Sequence, residues 1–154
     1  LIGLSRMAGR PIISSHTAAR ALCDHPRNIT DSAAKEIADT GGLIGVIFHS
    51  PYLHCGSQGK RAEVAILARH IHHLVALVGS EHVALGTDWA GLIITPVGLS
   101  EPTGLPLLAR ALRDTGMSRS AIQEVFSGNA AKMAEWLTPQ APARLQPKDQ
   151  RKAR

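Results

Sequence analysis

Three short apolar runs, each followed by a loop and then by a helix-period pattern, limit what this chain can fold into more than any other feature. They read Pro11-Ile12-Ile13-Ser14-Ser15-His16, then Gly42-Leu43-Ile44-Gly45-Val46-Ile47-Phe48-His49, then His82-Val83-Ala84-Leu85-Gly86-Thr87-Asp88. The second is apolar almost without a break, the pattern of a strand covered on both faces, as in a parallel sheet. After the first run, Thr30 or Asp31 can cap a helix whose Ala34, Ile37 and Ala38 share one side, ended by Gly41 and Gly42. After the second, residues 61–78 place Val64, Leu67, Ile71, Leu74, Val75 and Val78 on one stripe, which Gly79 can close. After the third come residues 105–113, with Leu105, Leu108 and Leu112 on one face. Ser118 then caps a segment bearing Ile122, Val125 and Phe126, and a last short helix covers 130–137. Strand then helix, repeated with right-handed crossovers, builds an α/β fold: an open doubly wound sheet or part of a (β/α)8 TIM-like barrel. A complete barrel takes about 200 residues or more. With 154 residues, barrel sequence here would amount to a carboxy-terminal portion of about three βα units.

Charge narrows the partners. The formal net charge is +5, and residues 139–154 supply +4 of it through Arg144, Lys148, Arg151, Lys152 and Arg154 against Asp149. That Pro/Ala/Gln-rich tail has almost no large apolar residues and is expected to be disordered beyond a folded body at 1–138. A nucleic-acid reader would carry its basic residues on a folded face, often with stacking aromatics. The only aromatics are Phe48, Tyr52, Trp89, Phe126 and Trp136, so nucleic acid is not expected as a partner. No run approaches the roughly 18 apolar residues of a membrane-spanning helix. The first residues also lack the charged start and long apolar core of a signal peptide. The expectation is a soluble chain, cytoplasmic rather than exported.

Each strand-like run ends in a group capable of ligation or proton transfer: His16, His49 and Asp88. In parallel α/β folds the carboxyl ends of the strands lie on one side and carry the active site, which places these three at a common mouth. Taken alone, His49 reads as a hydrogen-bonded core or loop residue. Asp88, between Gly86-Thr87 and Trp89-Ala90-Gly91, reads equally well as an aspartate closing a turn. In the loop Cys23-Asp24-His25-Pro26-Arg27-Asn28, Arg27 offers a planar fork suited to a carboxylate or phosphate. His70, His72 and His73 imitate a metal cluster, but at helical spacing His72 faces away from the other two, and the cluster reads as part of a surface helix. Two cysteines are too few for a Cys-rich zinc site or a disulfide scaffold. Cys23 and Cys55 follow successive strands, so they can pair in an oxidising compartment or remain thiols in a reducing one.

Together these stretches resemble the membrane (renal) dipeptidase family of zinc metallopeptidases. The matching residues are Pro11-Ile12-Ile13-Ser14-Ser15-His16-Thr17, then Cys23-Asp24-His25-Pro26-Arg27-Asn28-Ile29-Thr30-Asp31, then Val83-Ala84-Leu85-Gly86-Thr87-Asp88-Trp89, with Gly128-Asn129 near the end. The resemblance implies a (β/α)8 barrel of the metal-dependent hydrolase type and hydrolysis of a dipeptide substrate. It gives His16 as the last metal-binding histidine, at the end of the sixth strand. It gives Arg27 as the group holding the substrate carboxylate and Tyr52 as a tyrosine lining the site. Asp88 becomes the strand-eight aspartate that contacts the substrate amine and handles a proton when the peptide nitrogen leaves. In that family two zinc ions share a bridging glutamate and a water, which becomes the nucleophile.

The departures carry their own expectations. The family's His-x-Asp ligands, bridging glutamate and earlier histidine have no counterpart in these residues, and Ala90 stands where many relatives have a second aspartate. A zinc site needs three or four protein ligands, and only His16 is retained. The isolated chain is therefore expected neither to hold a dinuclear zinc centre nor to hydrolyse dipeptides. Its partner would be another copy or a missing amino-terminal half. The alternative is a non-catalytic α/β remnant that binds or assembles through an open sheet edge.

Overall fold

The computed structural model describes residues 10–56 and 58–137. The basic tail expected at 139–154 lies outside the described residues. Strand β1 (Ile13–Thr17) leads to helix α1 (Asp31–Asp39), and β2 (Leu43–Val46) to a short helix α2 (Ser50–Leu53) and a long one, α3 (Val64–Val78). Strand β3 (Val83–Leu85) is followed by a long loop and by α4 (Leu105–Asp114) and α5 (Arg119–Gln123). A π-helical turn, Glu124–Gly128, joins α5 to α6 (Asn129–Leu137). The three strands form a parallel sheet in the order β1-β2-β3, so the architecture is mixed α/β with consecutive strands paired.

The apolar patterns account for most of this. Thr30 caps α1 by accepting a hydrogen bond from the Ala33 N–H, and Ala34 and Ile37 turn inward. On α3, Leu67, Ala68, Ile71 and Leu74 are buried, and on α4 so are Leu108 and Leu112. These meet Ile44, Val46 and Val83 of the sheet, and Ile47 and Phe48 just beyond β2, in one core. Each Val, Leu, Ile or Phe among them contributes about 1.5–3 kcal/mol by leaving water. Ser118 caps α5 through the Ala121 N–H, as its position predicts.

Three boundaries differ from the sequence reading. Strand pairing stops at Val46 and Leu85, which frees Ile47 to His49 and Gly86 to Asp88 to enter the loops above the sheet. The helix expected from residue 61 starts at Val64, because Arg61 hydrogen-bonds the carbonyls of Thr95 and Pro96. Helix α2 was not expected; Pro51 in its first turn supplies the preset φ.

One irregularity shapes the upper end of the sheet. Ser14 pairs with Ile44 and Thr17 with Val46, so two residues of β1, Ser15 and His16, stand opposite Gly45 alone. This is a bulge, which re-aims side chains next to a site. It throws the Ser15 carbonyl over β2: a Cβ placed on Gly45 would lie 2.1 Å from that oxygen. Glycine is therefore required for the close approach, not for its φ.

Candidate active site at the carboxyl ends of the strands

The bulge presents His16 beside the loop that carries Arg27. Nε2 of His16 lies 3.2 Å from Nη2 of Arg27, and Nδ1 lies 2.8 Å from the Ser15 hydroxyl. A guanidinium only donates, so Nε2 accepts, and in the neutral ring the proton sits on Nδ1. Arg27 is held by its backbone: Thr17 Oγ1 donates to its carbonyl at 3.0 Å, and its N–H donates to His25 Nδ1 at 3.1 Å. The loop is anchored where Ala19 bridges Ile29, with hydrogen bonds from the Arg20 and Ile29 N–H groups to the Ile29 and Ala18 carbonyls.

A second segment comes from α2. The Tyr52 ring stacks on His25 with centroids 4.3 Å apart and meets His49 edge-on at 4.5 Å. The buried Asn28 side chain donates to the carbonyls of Cys23 at 2.8 Å and Tyr52 at 2.7 Å. Cys23 and Cys55 form a disulfide between the same two segments, with Cα atoms 5.3 Å apart. Of the two states open for this pair, the structure holds the bonded one.

The third segment follows β3. Asp88 has φ +55, a left-handed conformation that costs a non-glycine residue energy and concentrates at functional sites. Its carboxylate folds over Gly91, where an added Cβ would lie 2.5 Å from either oxygen. The turn itself is closed by the backbone, the Gly91 N–H donating to the Asp88 carbonyl at 2.8 Å. The loop continues across His49, whose Nδ1 accepts from the Ile94 N–H at 3.1 Å. Burial holds the His49 imidazole below the usual histidine range, opposed by the charge of Asp88 and reinforced by His25.

His16, Arg27 and Tyr52 therefore join one chain of contacts running through His25 to His49, and Asp88, the fourth residue singled out from sequence, acts on His49 through its charge. A groove of about 350 Å3 beside β1 is lined by His16, Arg27, Pro26, Ile12, Ile13 and Ile37, among others. That volume suits a small ligand.

Two contributors escaped the sequence reading. His25 supports Arg27 and stacks on Tyr52, and its spacing two residues before Arg27 was the available signal. His70 is no surface residue: it is 1% exposed, bonded to the Ala19 N–H and the Leu53 carbonyl. Its position three residues after Leu67 and four before Leu74 puts it on the buried stripe. On the same helix, His73 Nε2 pairs with Asp31 at 2.9 Å.

His16 has the tautomer that a metal ligand through Nε2 needs. A lone imidazole is not a zinc site, and among the described residues no three His, Cys, Asp or Glu side chains form a group that could hold a metal. The described residues therefore do not fit a dinuclear centre by themselves. Among them, no helix is long and apolar enough to cross a membrane.

An imidazole, a guanidinium, a phenol and a carboxylate thus stand at the carboxyl ends of a parallel α/β sheet. The family model described as Membrane dipeptidase (Peptidase family M19) matches residues 4–142, and the chain belongs to that family. It is 35% identical over 123 residues to an uncharacterized protein in the pqqA 5' region of Klebsiella pneumoniae, covering 79% of this chain and 45% of that protein. It is 32% identical to the dipeptidase aclJ of Aspergillus oryzae, covering 80% of this chain and 29% of the relative. A metallo peptidase from Rhodobacter sphaeroides, solved with a phosphinate mimic of the dipeptide L-Ala-D-Ala, superposes with a TM-score of 0.79 at 28% identity. That match covers 86% of this chain and 38% of the other. The chain thus spans less than half the length of these relatives.

Proposed function

We propose that this chain serves zinc-dependent hydrolysis of dipeptides, supplying about three βα units of a (β/α)8 barrel and the substrate-reading side of its site. The observation that carries the reading is the contact chain from His16 through Arg27 and His25 to Tyr52 and His49 at the carboxyl ends of the parallel strands, with the charge of Asp88 acting on His49. A dipeptide is a short zwitterion. Arg27 offers its planar fork to the carboxylate, and Asp88 offers a negative group to the amine, so the two free termini are both read. Tyr52, braced by His25 and His49, walls the space between them. When the peptide bond breaks, Asp88 is the group that holds a proton for the departing nitrogen. His16 is one zinc ligand; the remaining ligands lie outside the described residues.

The test replaces the matching segment of a full-length dipeptidase of the family with residues 10–137 of this chain. The chimera is expected to hydrolyse a simple dipeptide and to lose about 100-fold or more in kcat/KM on His16→Ala, Arg27→Ala or Asp88→Asn. A folded chimera whose turnover survives all three substitutions would sink the reading.

A further inference from the structure

We propose that His70 is a positioning residue that fixes Arg27 and Tyr52 relative to each other, holding the segment after β1 on one ring nitrogen and the segment after β2 on the other. The functional part of this inference rests on the dipeptide-site reading of Arg27 and Tyr52.

The geometry of the imidazole leaves one arrangement. Nδ1 of His70 lies 3.1 Å from the Ala19 nitrogen, and Nε2 lies 2.9 Å from the Leu53 carbonyl oxygen. A backbone N–H can only donate and a carbonyl can only accept, so His70 is the neutral ring with its proton on Nε2. Ala19 stands three residues after His16 and bridges Ile29, two residues beyond Arg27. Leu53 directly follows Tyr52 in α2. One rigid ring rooted in α3 therefore spans the two segments that carry the substrate-reading side chains.

Neither neighbour performs this task from below. Asn28 and the Cys23–Cys55 disulfide tie the two segments directly to one another, whereas His70 alone of these ties both to the helix layer. An apolar side chain of similar volume would leave a buried donor and a buried acceptor unpaired. A glutamine could offer one acceptor and one donor at a similar reach.

The chain has a single tyrosine, so tyrosine-selective isotope labelling gives one ring signal that reports on Tyr52. In the 154-residue chain, His70→Leu is expected to shift the Tyr52 ring signal and the Arg27 amide signal together, and His70→Gln to restore both toward wild type. A folded His70→Leu variant that leaves both signals in place overturns the proposal. If His70→Leu does not fold, the nitrogen spectrum of labelled histidine in the wild type decides. A protonated Nε2 and an accepting Nδ1 at His70 support the tie, and a proton on Nδ1 overturns it. In the chimera, His70→Leu should lower kcat/KM about fivefold or more, with rescue by His70→Gln. A chimera inactive with His70 intact counts against the dipeptide reading, while the ring and amide signals still judge the tie.

Discussion

Nη2 of Arg27 stands 3.2 Å from Nε2 of His16, so the guanidinium proposed to read a carboxylate donates to the same imidazole nitrogen that is proposed to ligate a metal. The two roles meet in one contact because the bulge at Ser15 and His16 turns the imidazole toward the loop. Arg27→Met in the chimera is expected to weaken binding of a dipeptide about tenfold or more, the loss of a charge-assisted pair worth about 1.5–3 kcal/mol. Binding of the same dipeptide as its carboxy-terminal amide should change little. Calorimetry with both ligands checks this, and equal losses for the two would remove Arg27 from carboxylate recognition.

The 154-residue chain, loaded with excess zinc and desalted, is expected to retain less than one tightly bound ion and to show no dipeptide turnover. The reason is that His16 alone is carried over as a ligand, and among the described residues no three His, Cys, Asp or Glu side chains form a group that could hold a metal. Metal analysis with a hydrolysis assay settles it; two retained zinc ions and turnover would contradict the expectation.

Much of this site was legible because its residues end strands. His16 and Asp88 follow apolar runs, and a parallel sheet puts such ends on one side whatever the loops do. Arg27 was legible by chemistry, and the α1, α3 and α4 stripes by period. What stayed hidden depends on register or on the partner of a buried polar atom. The bulge exists only because Thr17 pairs with Val46, which no local pattern encodes. His70 sat within an apolar stripe, yet its hydrogen bonds lie 51 residues back, to Ala19, and 17 back, to Leu53. The pairing of Cys23 with Cys55 needed the two loops to be seen side by side.

Stability should depend on pH through His70. Burial, opposed by the hydrogen bond to the Leu53 carbonyl and reinforced by the charges of Arg69 and His73, lowers its pKa from 6.5 to about 4. Between those values the unfolded chain binds the proton and the folded chain does not, so stability rises with pH across that window. It is fully present above about pH 6.5 and is lost as pH falls toward 4. The gap corresponds to about 3 kcal/mol. Denaturant unfolding of wild type and His70→Gln at pH 7 and pH 4 should show the wild type losing about that much more than the variant; parallel losses would exclude His70 as the source.

Reduction of the Cys23–Cys55 bond, which closes a loop of sequence separation 32, should cost about 3–4 kcal/mol by the chain-entropy relation. Unfolding with and without a reductant measures it. Such a bond persists in oxidising compartments and is reduced in the cytosol. A count of free thiols on the native protein therefore also discriminates between the two locations: none is expected where the bond is kept.

Gly45→Ala probes the bulge itself. The added Cβ would fall 2.1 Å from the Ser15 carbonyl and 3.1 Å from the Gly86 Cα, both backbone atoms that cannot swing aside. Either β1 moves away or the bulge flattens, and both outcomes displace His16 from Arg27. Overpacking of this kind costs typically about 1–3 kcal/mol, so the variant should fold less stably. In the chimera it should lose activity beyond what its folded fraction explains, because the same backbone shift that relieves the clash re-aims the imidazole. Thermal unfolding and kcat/KM measured on one preparation separate the two effects. Wild-type stability would show that the strands do not approach as closely as the bulge requires.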